Sequence, residues 1–380
     1  MRILHVMHGL SLGGGGPAVA LMGLSAAQAA AGLEVSLDAA TVGESDAAIA
    51  RHIASRGVSV HTFGPTRGLR NHPDLAPTLE RLIPHAEVVH IHALWEAVQH
   101  RAARICQRLG KPYIITPHGM LDPWALRQGR LKKSLYMLWR LRRNLRCAAA
   151  LHFATRIERD LVEPLGLARR AIVEPLGIDY SEFHDLPAPG SFRARYPQLG
   201  DRPYVVYLGR LHPQKGLELL IPAFARASVG EARLVLVGPD SRGFQRQVEA
   251  WVTENGLEGR VLLTGMLTGS DRIAALADAT LFALPSYHEN FGVSVVEALA
   301  AGRPVIISDQ VQIHQEITAA QVGAVVPLDV DALARELTAW LADPARREAA
   351  AGRCRPFVLE TFEWGHIAGR WVDHYREAAR

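Results

Sequence analysis

The chain has 380 residues, too many for one ordinary hydrophobic core, so two domains are expected. Apolar residues make up 48% and charged residues 21%, a globular balance that excludes a disordered or fibrous chain. A formal net charge of +4 excludes a general nucleic-acid binder unless the positive charge clusters. Three scattered cysteines, Cys106, Cys147 and Cys354, form no Cys-x-x-Cys pair; they argue against a disulfide scaffold or zinc site and fit a reducing cytoplasm. The first residues read as a strand rather than a signal segment. No run approaches the roughly 20 apolar residues needed to cross a bilayer.

In chain order, residues 3–7 form an apolar strand. A glycine loop, Gly13–Gly16, follows, and then an alanine-rich helix to about residue 31 with Pro17 in its first turn. Strands are expected at 35–41, 58–63, 88–91, 112–116, 151–154 and 171–173, with helices at 47–56, 74–83, 97–109, 132–149 and 158–165. This alternation means a parallel sheet covered on both faces. Residues 177–203 break the rhythm with Pro187, Pro189, Gly190, Pro197 and Gly200, and read as a linker. A second series has strands at 204–208, 233–237, 261–264, 280–284, 305–308 and 325–327. Helices at 331–343, 344–361 and 364–379 close the chain. The expected architecture is α/β, two doubly wound Rossmann-like domains facing across a cleft. Their bounds are 1–180 and 204–362, with a linker at 181–203. A C-terminal helix, 363–380, is expected to pack back on the first domain.

Three stretches carry candidate chemistry. Ser286-Tyr-His-Glu-Asn-Phe-Gly-Val-Ser-Val-Val-Glu297 leaves a buried strand and enters a helix. Its two carboxylates, Glu289 and Glu297, fit either acid–base work or a grip on sugar hydroxyls. The apolar neighbours of Glu297 argue for burial, and a buried carboxylate needs a partner such as a ribose diol. Gly209-Arg-Leu-His-Pro-Gln-Lys-Gly216 places Arg210 and Lys215 on the first strand-to-helix turn of the second domain, where two cations could hold a diphosphate. Thr116-Pro-His-Gly-Met120 puts His118 at the end of a strand in the first domain.

Taken together, Gly-Arg-x4-Lys-Gly, Glu-x-Phe-Gly completing Glu-x7-Glu, Thr-Pro-His-Gly-Met, Val-Leu-Val-Gly and Ala-Gly-Arg-Pro-Val-Ile resemble family 4 (GT4) of the GT-B-fold glycosyltransferases. The resemblance runs over nearly the whole chain. Residues 117–126 look like the branch that assembles bacterial surface polysaccharides. The resemblance implies a metal-independent, cofactor-free transferase that moves a hexosyl unit with retention from a UDP- or GDP-sugar. Its acceptor would be a saccharide, in the lipid-linked form built on a polyprenyl diphosphate, in exopolysaccharide or lipopolysaccharide assembly. It further implies that Arg210 and Lys215 neutralise the departing diphosphate, that Glu289 contacts the donor sugar, and that Glu297 binds the ribose. Backbone groups around Phe291, Gly292 and Val293 would touch the donor, with Asn290, Gly209, Gly15 and Gly16 completing the donor set. His118 would lie beside the donor sugar. The segment 174–177 departs from the family's Pro-Asn-Gly, with Leu176 in place of Asn.

Other features leave alternatives open. The glycine loop is either a phosphate contact or a flexible turn. It lacks both the dinucleotide and the P-loop spacing, which counts against a nucleotide-sugar epimerase or oxidoreductase; a non-catalytic nucleotide-sugar-binding module is the other alternative. His90-Ile-His92 puts two rings on one strand face without an evident third metal ligand. His92, Trp95, Asp122 and Trp124 are acceptor-side candidates. Asp329-Val-Asp331 precedes a helix and reads as a cap rather than a metal site. Residues 127–146 carry eight positive charges and no acidic residue, interleaved with Leu131, Leu135, Tyr136, Leu138 and Trp139. This is either a solvated helix face or a contact with anionic lipid, which would place a cytoplasmic protein on the inner face of the membrane. No nucleic-acid partner is expected.

Overall fold

The computed structural model describes residues 1–10, 16–40, 43–64 and 72–380. They divide into two compact units, Met1–Ile178 with Glu363–Arg380, and Asp179–Phe362.

Unit 1 is built on seven parallel strands: β1 (Arg2–Gly9), β2 (Glu34–Ala40), β3 (Ser59–Phe63), β4 (Val88–His92), β5 (Tyr113–Thr116), β6 (Ala150–Phe153) and β7 (Ala171–Val173). Their order is β3-β2-β1-β4-β5-β6-β7. The winding therefore reverses between β1 and β4, and the crevice beyond the carboxyl ends of these strands is where such a sheet takes a ligand. Strands β4, β5 and β6 are buried along their whole length. That explains why, apart from His90, His92, Thr116 and His152, they read as apolar runs rather than alternating ones.

Unit 2 repeats the plan with six parallel strands: β8 (Tyr204–Leu208), β9 (Arg233–Val237), β10 (Val261–Gly265), β11 (Leu281–Leu284), β12 (Val305–Ser308) and β13 (Gly323–Val326). The order β10-β9-β8-β11-β12-β13 puts the reversal between β8 and β11. Those two strands pair in parallel through Leu281 with Val205 and Phe282 with Val206. The loops leaving β8 and β11 carry the Arg-Lys and the Glu-x7-Glu motifs.

The segment 181–203 belongs to unit 2 and is folded onto it. Phe183 and Phe192 are buried, and the Gly190 and Phe192 amides donate to the Asp278 carboxylate at 2.7 and 2.9 Å. Proline and glycine mark turns, and turns can be packed as well as free. The helix Trp364–Ala378 is part of unit 1 and lies against the helix Gly16–Ala30. The contact is tight: a Cβ at Gly23 would lie 2.0 Å from the Trp364 indole.

The single helix expected at 132–149 is instead Arg130–Tyr136, a wide π-turn at Met137–Leu141, and Arg142–Cys147. A π-turn changes the helical phase. Leu141 and Leu145 consequently enter the core, while Leu131, Leu135, Leu138 and Trp139 are exposed, Trp139 by 79%. Among the described residues no helix is long and apolar enough to cross a membrane. The three cysteines are free, and Asp329 caps the helix Val330–Ala342 by accepting from the Ala332 amide at 2.7 Å.

Candidate active site

In unit 2, two backbone approaches set the geometry. Gly216 has φ +71°, and a Cβ there would lie 1.9 Å from the Pro285 carbonyl oxygen. The turn Pro213–Lys215 can therefore press directly on the end of β11. The loops are then stitched together: the Tyr287 amide donates to the Gln214 carbonyl at 2.9 Å, and the Gln214 side chain donates to the His288 carbonyl at 2.7 Å. As a result Lys215 and Glu289, 74 positions apart, form an ion pair. Gly216→Ala is expected to lose at least about 1–2 kcal/mol from the left-handed backbone alone, with the clash adding to it. A fall in the urea midpoint, together with weakened nucleotide binding, checks this.

Arg210 sits half-buried on the same loop, and its carbonyl accepts from the Tyr207 hydroxyl at 2.7 Å. Its guanidinium has no carboxylate partner among the described residues. Gly209 lies beneath Lys215: a Cβ there would come within 3.8 Å of the lysine Cε. Glu289 is fixed by its backbone, donating to the Gln310 carbonyl at 3.1 Å and accepting from the Gln312 amide at 3.0 Å. Asn290 Oδ1 is buried without a hydrogen-bond partner. Phe291 is buried and meets Phe362 edge-on at 5.5 Å, so its side chain is an anchor and only its backbone can face a ligand. Gly292, at φ +84°, caps the helix Val293–Ala300, whose first N–H groups are the unpaired donors of a helix start.

Glu297 is buried at 8% exposure on that helix and is not in the Lys215–Glu289 pair. It is bonded to Arg272, which also reaches Glu182. Burial pushes the Glu297 carboxyl up and Arg272 opposes that shift. Arg272 escaped the sequence reading because nothing in Gly-Ser-Asp-Arg announces a partner 25 positions away. Two carboxylates each matched by a cation are poorly placed for acid–base catalysis and well placed to accept hydrogen bonds from hydroxyl groups.

In unit 1, His118 follows β5 in the left-handed region, at φ +52°, with Gly119 at +73°. This turn is held by Glu158, a buried residue that the sequence reading did not single out. Its carboxylate accepts from the Gly119 amide at 2.6 Å and the Ala154 amide at 2.8 Å. His118 meets His92 at 3.2 Å, and His92 meets His5 at 2.9 Å. From His5 the chain of bonds runs through Gln28, Tyr375, His90, Thr116 and His152 to the Glu174 carbonyl, each step between 2.7 and 2.9 Å. Burial, with the His152 imidazole adding to it, pushes His118 down to about 3. Burial likewise lowers His5 and His152 to about 4, against their hydrogen-bond partners. His118 is thus a neutral imidazole at neutral pH: its ring can accept or donate a hydrogen bond to orient a ligand, but it is not an imidazolium acid.

His5 adds a third imidazole to the His90/His92 pair, with one nitrogen from each within 4.8 Å of the others. All six ring nitrogens of these three residues are nevertheless bonded within the network. His92 is 2% exposed, so it acts behind His118 rather than as a lining residue. Trp95 packs edge-on against Tyr136 at 5.9 Å under the Lys133 ammonium. Asp122 is buried at the start of the helix Pro123–Arg127, and Trp124 is half-buried on it. Gly16 begins its helix and is exposed, whereas Gly15 and residues 11–14 lie outside the described residues. Leu176, in the place of the family's Asn, is buried, and a Cβ at Gly177 would strike the Trp364 ring at 2.5 Å.

Two parallel α/β units, with a basic turn and paired carboxylates at the switch point of the second, define a sugar-transferring enzyme of the GT-B class. The sequence profile for glycosyl transferases group 1 matches residues 191–354, and that for a glycosyl transferase 4-like domain matches residues 15–177. The chain belongs to glycosyltransferase family 4. Among its relatives is the GDP-mannose:cellobiosyl-diphosphopolyprenol alpha-mannosyltransferase of Xanthomonas campestris, 27% identical over 87% of this chain and 84% of that one. Another is the alpha-maltose-1-phosphate synthase of Mycolicibacterium smegmatis, 29% identical over 85% of this chain and 91% of that one. The fold matches Anabaena HepE, solved with UDP and glucose, at a TM-score of 0.78 and 19% identity over 98% of this chain and 99% of that one.

Proposed function

We propose that the protein is a retaining, metal-independent hexosyltransferase. It would carry sugar from a UDP- or GDP-sugar to a hydroxyl of a saccharide linked to polyprenyl diphosphate, in exopolysaccharide or lipopolysaccharide assembly. The observation that carries this reading is the Arg210–Lys215 turn pressed against Glu289 at the switch point of unit 2. Two fixed cations act where charge develops as the sugar–phosphate bond breaks, the role a divalent metal fills elsewhere. The relative named for GDP-mannose and a diphosphopolyprenol acceptor supports this donor and acceptor class.

In the proposed step the bond from the anomeric carbon to the diphosphate oxygen breaks, with that electron pair leaving on the phosphate. The acceptor hydroxyl oxygen bonds to the same carbon on the same face, and its proton passes to the leaving phosphate oxygen. Lys215 and Arg210 hold the diphosphate, Glu289 orients the sugar hydroxyls, and Glu297 takes the ribose. Asn290, with its buried unpartnered oxygen, and the amides from Phe291 to Val293 complete the donor set. His118 of unit 1 takes its place beside the donor sugar, and acceptor-side roles fall to Trp95, Asp122 and Trp124, with His92 behind His118. A thermal-shift panel of nucleosides and nucleoside diphosphates tests the reading. Stabilisation by UDP or GDP is expected, about 2.7 kcal/mol at a hundredfold excess over Kd; no stabilisation by any of them contradicts it.

Lipid contact through residues 127–146 is part of the proposal, with the protein on the cytoplasmic face of the membrane. Leu131, Leu135, Leu138 and Trp139 recur at the spacing of one helix face and are exposed. A basic hollow of about 460 Å³ lies beside them, lined by Arg127, Arg130, Lys133 and Arg142 over Leu126 and Met137. Changing Leu135, Leu138 and Trp139 together to serine is expected to lower co-sedimentation with phosphatidylglycerol vesicles by about tenfold or more. High salt is expected to weaken wild-type binding as well. Unchanged sedimentation would remove the membrane from the proposal.

A further inference from the structure

We propose that Arg272 is the positioning residue of the nucleoside subsite, holding Glu297 in the orientation in which its carboxylate grips the ribose diol. The inference rests on the donor reading above.

Three observations carry it. First, Glu297 is a buried carboxyl group, and burying it without a partner is costly. Arg272 supplies that partner through Nη1 to Oε1, which tethers one carboxylate oxygen and leaves the other to face a ligand. Second, Arg272 is itself tied down. Its Nη2 is bonded to Glu182, in the turn Tyr180–Phe183, so the guanidinium is a strut between that turn and the helix Val293–Ala300. Glu182 thereby gives the packed 181–203 segment a link to the donor site. Third, Arg272 Nε is buried without a hydrogen-bond partner. A buried donor left unpaired in the ligand-free unit is satisfied when a ligand oxygen arrives. The position suits a nucleoside: Arg272 lies in the first turn of the helix Gly269–Ala277, directly after the loop that leaves β10.

The geometry separates Arg272 from Lys215. Lys215 is paired with the other carboxylate on the turn proposed for the diphosphate, whereas Arg272 is bonded to Glu297 and Glu182 and not to Glu289. Its loss should therefore weaken ribose recognition and leave the chemistry of bound donor largely intact. Lysine should replace it only in part, because a compact charge cannot present two separated N–H groups to two acidic partners.

The test measures binding of UDP and GDP against their 2′,3′-dideoxy analogues to wild type, Arg272→Ala and Arg272→Lys, with KM and kcat for the accepted donor. Wild type is expected to prefer the ribose form by about tenfold or more, because a site built around hydroxyl groups rejects an analogue lacking them. Arg272→Ala is expected to bring that ratio near one and raise KM about tenfold, with kcat within about threefold. Arg272→Lys is expected to fall between, and it serves as the readout should the alanine variant not fold. A lysine or alanine variant with the wild-type ribose preference overturns the inference. So does a wild type that binds UDP or GDP without preferring the ribose form. Absence of all nucleotide binding by wild type instead overturns the donor reading on which the inference stands.

Discussion

Lys215→Ala is expected to lower kcat/KM for sugar transfer by about 10²–10³-fold, the usual cost of removing one preorganised group that meets developing charge. The structure adds a second penalty. Lys215 is paired with Glu289, and both side chains are mostly shielded, at 16% and 19% exposure. Removing the lysine leaves a shielded carboxylate facing the place proposed for a diphosphate. Like charges there repel through a medium that screens less than water. Two effects thus combine, loss of attraction and gain of repulsion, and they are separable. Glu289→Gln added to Lys215→Ala should restore nucleoside diphosphate binding by about tenfold without restoring transfer. Isothermal titration with UDP and GDP, beside initial rates, reads both. Equal binding in the single and double variants would mean that Glu289 does not sense the diphosphate.

Unit 1 is expected to lose stability steeply as pH falls from 6.5 towards 4. His5 and His152 titrate at about 4 in the fold because burial favours the neutral ring. In the unfolded chain they titrate near 6.5. Above 6.5 both states hold neutral rings and the fold has its full stability. Below 6.5 the unfolded chain takes up protons that the folded chain refuses, so folding weakens by about 1.4 kcal/mol per pH unit for each such histidine. His90, His92 and His118 are also pushed down and belong to the same network, so their costs are coupled rather than additive. A net loss of about 4 kcal/mol by pH 5 corresponds to a fall in Tm of about 8–16 °C. Asp38 on β2 works the other way: burial raises its carboxyl to about 7, so the folded chain takes up that proton before the unfolded chain does, and the window from 6.5 to 5 reads the histidines less about 1.4 kcal/mol per pH unit. Calorimetry across that window checks it, and a flat Tm would show that the cluster admits protons without cost.

Much of this was legible in the sequence because the sheets are parallel and buried. A strand covered on both faces leaves an uninterrupted apolar run, and β8, β11 and β12 are buried throughout. Glycine was legible where close approach demands it, at Gly216 beside Pro285. What escaped depends on distant partners. The Arg272–Glu297 bond and the Glu158 brace under Gly119 join residues whose neighbours give no signal. The His-x-His pair was visible on β4, but its companions His5 and His152 lie on β1 and β6 and meet it only when the sheet assembles. The π-turn at Met137–Leu141 was hidden because apolar spacing is read with a fixed helical period, which one wide turn breaks. The 181–203 segment was misjudged because composition reports turns and not what they pack against.

The Arg210–Lys215 turn is expected to support cleavage of a nucleotide sugar without a divalent metal. The most direct measurement is release of nucleoside diphosphate from UDP- and GDP-sugars by wild type and Lys215→Ala, with EDTA and without acceptor. Slow release from one donor class, unchanged by EDTA and lost in the variant, is the predicted result. No release from any donor, or release abolished by EDTA, would contradict it.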